Sequence, residues 1–241
     1  MEGGKMSVFI QQIVTGLSIG GIYALLAVGY ALIYSVFDFS NFAFGCVMMV
    51  SAFTAYCSLK LWDSSLFISI SLAVIIGIIT SIIIELLAYR PLRKKNTARL
   101  FLMITGIGID LALTNTATIL LGGNNRPFPN IDATSHFIIG KLAVVKLDLL
   151  AMAVCIIVLL ALWYFLEKTK SGLAVRASAY STSIAGLMGI NVNRVSLVVF
   201  IISGIVAAIA GIFFGMKYAI YPTMGSISTK AFIAWLSAVL T

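Results

Sequence analysis

The sequence predicts an all-α fold: a polytopic transmembrane helical bundle of about six to eight membrane segments. Hydrophobic residues make up 61% of the 241 positions and charged residues only 10%, where a soluble domain carries about a quarter charged residues. The mean hydropathy is +1.10. The apolar residues also gather in runs, most of them near the roughly 20 residues that cross about 30 Å of hydrocarbon.

The first run, Val8–Phe37, far exceeds a signal-peptide core of about 7–15 residues. It reads as a retained span, long enough to hold a break or a re-entrant turn. Phe42–Trp62, Leu66–Ala88, Leu100–Leu121, Leu149–Leu166 and Val195–Met216 follow, each of spanning length. A last run, Ala231–Leu240, is too short to cross. Polar punctuation separates the runs at Asp38–Asn41, Asp63–Ser65, Tyr89–Arg99, Gly122–Asp148, Glu167–Arg194 and Lys217–Lys230. No repeat or low-complexity tract divides the chain, so residues 1–241 read as one transmembrane domain.

Charge sets the orientation. Arg90, Arg93, Lys94, Lys95 and Arg99 place the third break inside, and Lys168, Lys170, Arg176 and Arg194 place the fifth inside. Two runs separate these loops, so the parity agrees. Gly122–Asp148 is then outside, and counting back puts the N-terminus outside as well. The net charge of +8 is thus the basic side of a membrane protein. A nucleic-acid partner is not expected, because no soluble basic module with interleaved aromatics exists.

Small residues mark close helix approach, which drives association where burial cannot. Gly16, Gly20, Ala24, Ala27 and Ala31 share one face of the first run, and Ala207, Gly211 and Gly215 repeat the pattern in the sixth. Both read either as packing within one bundle or as a seam between subunits. Cys46, Cys57 and Cys155 lie inside apolar runs without disulfide or metal spacing.

Catalytic chemistry has no foothold. The lone His136 sits in the outer loop, and neither a metalloprotease helix, a nucleophile elbow nor a phosphate-binding loop occurs. No cofactor or metal is expected, and any ATPase would be another chain. Asp110 lies mid-span with Thr105, Thr114, Asn115 and Thr116. A carboxylate there costs at least about 2.5–3.5 kcal/mol and so faces protein or water. It either lines a pathway or holds helices together through neighbouring hydroxyls. Glu85, within a turn of the interface beside Tyr89 and Arg90, reads as a structural pair.

The inner stretch 167–194 carries an amphipathic stripe, Leu173, Ala177, Tyr180, Ile184, Leu187 and Met188. Such a helix lies on the membrane or docks into a partner's groove.

The order of motifs resembles the permease family of ABC importers for branched-chain amino acids, whose relatives carry urea and short amides. The likeness rests on Gly16-Leu17, Gly20, Tyr23-Ala24-Leu25, Gly29 and Leu32-Ile33-Tyr34, running into Asn41-Phe42-Ala43-Phe44-Gly45. Glu85, Tyr89-Arg90-Pro91-Leu92-Arg93 and Thr105-Gly106-Ile107-Gly108 follow in order. Thr169 to Asn191 resembles the segment in which ABC permeases carry their coupling helix. Phe44 stands where the family signature has histidine, and Tyr180-Ser181-Thr182-Ser183 lacks the usual acidic residues. The chain ends at Thr241, where relatives continue, so the short last run reads as a shortened C-terminus.

The resemblance implies a non-enzymatic permease of the bacterial cytoplasmic (inner) membrane. Its partners would be a second permease, identical or homologous, two cytoplasmic ATPase subunits and an extracytoplasmic substrate-binding protein. Candidate pathway residues are Asn41, Gly45, Thr105, Asp110 and Asn115. Candidate coupling residues are Gly172, Arg176, Ala185 and Gly189, and helix-packing residues Gly16, Gly20, Gly211 and Gly215. Rival readings are an ion-coupled secondary transporter and an inactive truncated assembly subunit.

Overall fold

The computed structural model describes residues 2–62, 65–95, 97–129, 136–139 and 142–240. The first run forms one unbroken helix, α1 (Glu2–Phe37), which ends where Asp38 takes a positive φ of 52° and its N–H caps the Tyr34 carbonyl. The break comes after the run, across 38–43. α2 (Phe44–Trp62) leads to α3 (Leu66–Ile84), which passes through a π-helical turn (Glu85–Tyr89) into the short α4 (Arg90–Lys94). α5 (Arg99–Leu121) ends at Gly122, φ 80°. A two-stranded antiparallel hairpin, β1 (His136–Ile139) with β2 (Leu142–Val145), occupies part of the outer loop.

α6 (Lys146–Lys168) leads to the basic stretch 167–194, the side that its charge marks as inner. There the amphipathic stretch is two helices, α7 (Lys170–Tyr180) and α8 (Thr182–Leu187), with Ser181 ending one and capping the other. α9 (Val192–Lys217) starts at Asn191, whose side-chain oxygen accepts from Asn193 and Arg194 N–H groups, as N-cap residues do. After a 3-10 turn (Pro222–Gly225), α10 (Ser226–Leu240) completes the fold.

Among the described residues, five helical stretches are long and apolar enough to cross a membrane: Phe9–Phe37, Leu66–Lys94, Arg99–Leu121, Lys146–Lys168 and Val192–Lys217. The second apolar run contributes a shorter helix, Phe44–Lys60, by that measure. The helix itself runs on to Trp62, 19 residues in all, and starts two residues into the apolar run because Phe42 and Ala43 belong to the break. α2 is nonetheless the centre of the bundle, packed by α3, α9 and the 3-10 turn, while α1 lies on α6, α9 and α10. Small residues permit this spacing. A Cβ on Gly211 would stand 2.5 Å from the Met48 carbonyl, and one on Gly204 would stand 2.9 Å from the Ser81 side chain. The two faces of small residues therefore differ in use. Gly211 and Gly215 pack inside this chain, whereas Gly16 and Gly20 have nothing of the chain within 4 Å of a Cβ.

α5 is peripheral. Only 11% of its most apolar window is buried, against 67% for α9.

Candidate functional site

The site lies where α1 breaks, α2 begins and α5 crosses. Asn41 is 3% exposed. Its side-chain oxygen accepts from the Ala43 N–H at 3.1 Å and from the Tyr89 hydroxyl at 2.6 Å, and its carbonyl accepts from Phe44 N–H. The π-turn brings Tyr89 to this point, and Gly106 of α5 leaves room for its hydroxyl, which would sit 2.6 Å from a Cβ there. Sequence reasoning placed Asn41 on a pathway. In the structure its oxygen is engaged within the break and its side chain is buried.

Gly45, the next pathway candidate, is packed tightly as well. It is the contact between α2 and the 3-10 turn: a Cβ would approach the Gly225 carbonyl to 2.5 Å and Ser228 Oγ to 2.7 Å. Gly45→Val is expected to lower the stability of the purified chain by about 1–3 kcal/mol through overpacking, with Gly45→Ala falling between. Thermal unfolding in detergent reads this, and a valine variant that melts with the parent would show that the contact can open.

This contact also fixes the level of α10. Ser228 bonds the Tyr30 hydroxyl of α1 at 3.1 Å, and Gly225 meets the first turn of α2 beside Asp110. Asp110 is the middle of α5, so α10 begins level with the middle of that helix.

Asp110 closes the group. Its carboxylate lies beside the backbone N–H of Cys46, one of the first-turn donors that a helix cannot satisfy itself. An anion there also complements the helix dipole. One of its oxygens, Oδ1, is buried and without a partner. The structure thus brings Asn41, Gly45 and Asp110 to one end of α2. Thr105 and Asn115 lie elsewhere on α5: Thr105 bonds back to the Phe101 carbonyl at 2.7 Å, and Asn115 is exposed with Thr116 and Thr118.

Two buried ion clusters bracket the site. On the inner side Arg93 of α4 pairs with Glu85, which is 0% exposed, and Ser196 of α9 donates to the same Glu85 oxygen at 2.6 Å. Arg93 also reaches Ser196 Oγ at 2.7 Å and covers the Phe37 ring at 4.3 Å. Glu85 was legible as a structural pair, but its partner is Arg93 rather than Arg90. On the outer side Asp148 of α6 pairs with Lys217 of α9 at 2.6 Å and accepts from Thr15 of α1 at 2.9 Å. Sequence reasoning missed this pair. The available signal was that Asp148 opens one span and Lys217 closes another, both at the outer boundary.

The inner elbow α7–α8 turns apolar side chains outward. Tyr180, Leu187 and Met188 are 80–89% exposed, and Leu173 and Ile184 more than half. Ala185, a coupling candidate from the sequence, is only 3% exposed and faces its own chain. Gly172 is likewise internal, since a Cβ would collide with the Phe165 and Leu166 carbonyls where α6 turns into α7. Gly189, φ 84°, makes the turn after α8. Arg176 pairs with Glu167 at 3.0 Å on the surface.

The family described as "Branched-chain amino acid transport system / permease component" matches residues 12–241. The chain is 31% identical over 241 residues to the high-affinity branched-chain amino acid transport system permease protein BraD of Pseudomonas aeruginosa, covering 94% of this chain and 78% of that protein. It is 31% identical to LivH of Salmonella typhimurium, covering 94% and 77%. A more distant likeness, 28% over 144 residues, links it to the ribose import permease protein RbsC of Escherichia coli, covering 60% and 41%. No solved structure matches. A bundle of membrane-spanning helices with an exposed inner elbow, matched to the family from the first helix to the last residue, belongs to the branched-chain amino acid transport permease family.

Proposed function

We propose that this chain is a permease subunit of an ATP-driven importer of branched-chain amino acids in a bacterial cytoplasmic membrane. It pairs with a second permease, identical or homologous. Two cytoplasmic ATPases drive it, and an extracytoplasmic binding protein delivers substrate to the outer face.

The observation that carries this reading is the elbow α7–α8, where Tyr180, Leu187 and Met188 stand almost free on the basic, inner side. A partner that buries them gains roughly 1.5–3 kcal/mol for each aliphatic side chain. The path is supported by α5. Its exposed Asn115 and Thr118 lie inside a span, where polar groups face protein or water rather than lipid. Together with Thr105 and Asp110 they would border the route along the second permease.

Leu187→Asp with Met188→Asp tests the coupling. Losing two buried apolar side chains removes roughly 3 kcal/mol or more of docking energy, so ATPase recovery with the tagged chain should fall by about a hundredfold. Uptake should fall with it, while insertion and pairing with the second permease persist. Ala185→Trp should instead disturb the chain's own fold, because Ala185 is internal. Undiminished ATPase recovery would refute docking at the elbow. Uptake that continues without any ATPase would favour an ion-coupled carrier.

A further inference from the structure

The outer halves of α2 and α5 do not close on each other. Between them lies a cleft of about 360 Å³ lined by Met49, Phe53, Leu113 and Leu120, with Leu72 of α3 behind. The lining is almost wholly apolar. From Met49 to Trp62 it follows α2 for about 20 Å at 1.5 Å per residue. Its lower end is one turn above the Asp110 level, since Met49 and Leu113 each follow that group's residues by three. The cleft thus runs outward for about 20 Å, on the order of one leaflet with its headgroups in a bilayer of about 40–45 Å. That is longer than any amino-acid side chain.

The rim has a different chemistry. Trp62, 73% exposed, stands where tryptophans anchor at the interface. Tyr56, one turn and a half below, has two cations at its ring: Lys60 Nζ and the Arg126 guanidinium, each 5.6 Å from its centroid. Arg126 is held in place. Its side chain donates to the Leu121 carbonyl at the end of α5, and its backbone pairs with Ile220 through two 2.9 Å hydrogen bonds. Neither cation has a carboxylate partner among the described residues.

We propose that this cleft is a binding site for an anionic phospholipid of the outer leaflet. One acyl chain fills the space between α2 and α5, and the phosphate is held by Lys60 and Arg126. The apolar length matches one leaflet, and the two cations stand at headgroup level, where a phosphate makes charge-assisted hydrogen bonds. The lipid completes the packing of α5 on α2 in the half of the span that side chains leave open.

The test uses the full chain, purified in mild detergent, stripped of lipid and titrated with phosphatidylglycerol while bound lipid is counted by native mass spectrometry. Phosphatidylcholine with the same acyl chains and free leucine are the parallel probes. Phosphatidylglycerol should bind at least tenfold more tightly than phosphatidylcholine. Lys60→Gln with Arg126→Gln should remove that preference, and Ala117→Trp, which fills the cleft, should abolish retention of both lipids. Leu160→Trp, on the exposed face of α6, should leave binding unchanged. Equal retention of the two lipids overturns the proposal, as does full retention in Ala117→Trp or displacement of phosphatidylglycerol by leucine. If Ala117→Trp does not fold, the double glutamine variant decides alone: an unchanged preference for phosphatidylglycerol overturns the proposal.

Discussion

Arg93→Met is expected to destabilise the bundle by about 3–5 kcal/mol, the usual effect of removing one partner from a buried ion pair. Arg93 is the cation beside a Glu85 side chain that is 0% exposed, and Glu85 sits in the π-turn that joins α3 to α4. Without Arg93, Glu85 keeps only the Ser196 hydroxyl on one oxygen, and its Oε2 already has no partner. Three elements then lose their common contact: the π-turn, α4 and α9. Adding Glu85→Gln to Arg93→Met should restore most of the loss, because glutamine keeps an acceptor for Ser196 and buries no charge. Arg99→Met is the control. Its partner Asp38 is 57% exposed and Arg99 itself 68%, so the change should stay within about 1 kcal/mol. Thermal unfolding of the purified chain measures all three. A single variant that melts with the parent, or a double variant no better than the single, would remove the cluster from the forces that hold the inner side.

The spans were legible because their signal is local. Each is a run whose hydropathy is set by its own residues, and the break after Phe37 is announced by Asp38-Phe39-Ser40-Asn41. The family was legible for the same reason, since its motifs are short and ordered. What did not show was which residue meets which. Gly16 and Gly20 have the same spacing as Gly211 and Gly215, yet only the second pair has the chain's own atoms against it. Small-residue spacing states that a backbone can come close, not whose.

Asn41 and Asp110 illustrate the same limit for polar groups inside a membrane. Both needed a partner or a path, and the sequence left that choice open. Asn41 is satisfied by Tyr89, 48 residues away, so its role is set by a long-range contact that periodicity cannot display. The apolar stripe through α7 and α8 was visible, but the bend at Ser181 was not. A serine continues a helical pattern as readily as it caps a new one, and here its hydroxyl accepts from Ile184 N–H. The packing of Gly225 on Gly45 was equally hidden, because Pro222 and Gly225 mark a turn without telling what it meets.

Asp110 should lose transport and fold by separate substitutions. Its carboxylate lies beside the Cys46 N–H at the start of α2, and Oδ1 is buried without a partner. The first is a structural duty, and the second leaves part of the carboxylate without a partner inside the chain. Asp110→Asn keeps an acceptor for Cys46 and the shape of the side chain but removes the charge. It should fold within about 1 kcal/mol of the parent, because the helix-dipole contribution it gives up is worth about 0.3–1 kcal/mol at exposed sites and up to ~2 when partly buried. Uptake should nevertheless fall at least tenfold if the charge borders the path beside Thr105 and Asn115. Asp110→Leu removes the acceptor as well. An unpaired buried N–H costs about 1–3 kcal/mol, so this variant should melt lower than Asp110→Asn, with uptake no better. Uptake and thermal unfolding, measured on the same preparations within the assembled importer, separate the roles. Wild-type uptake in Asp110→Asn would make Asp110 a cap for α2 and nothing more. An Asp110→Leu chain that melts with the parent would show that the first turn of α2 finds another acceptor, which removes the structural role and leaves the carboxylate to transport alone.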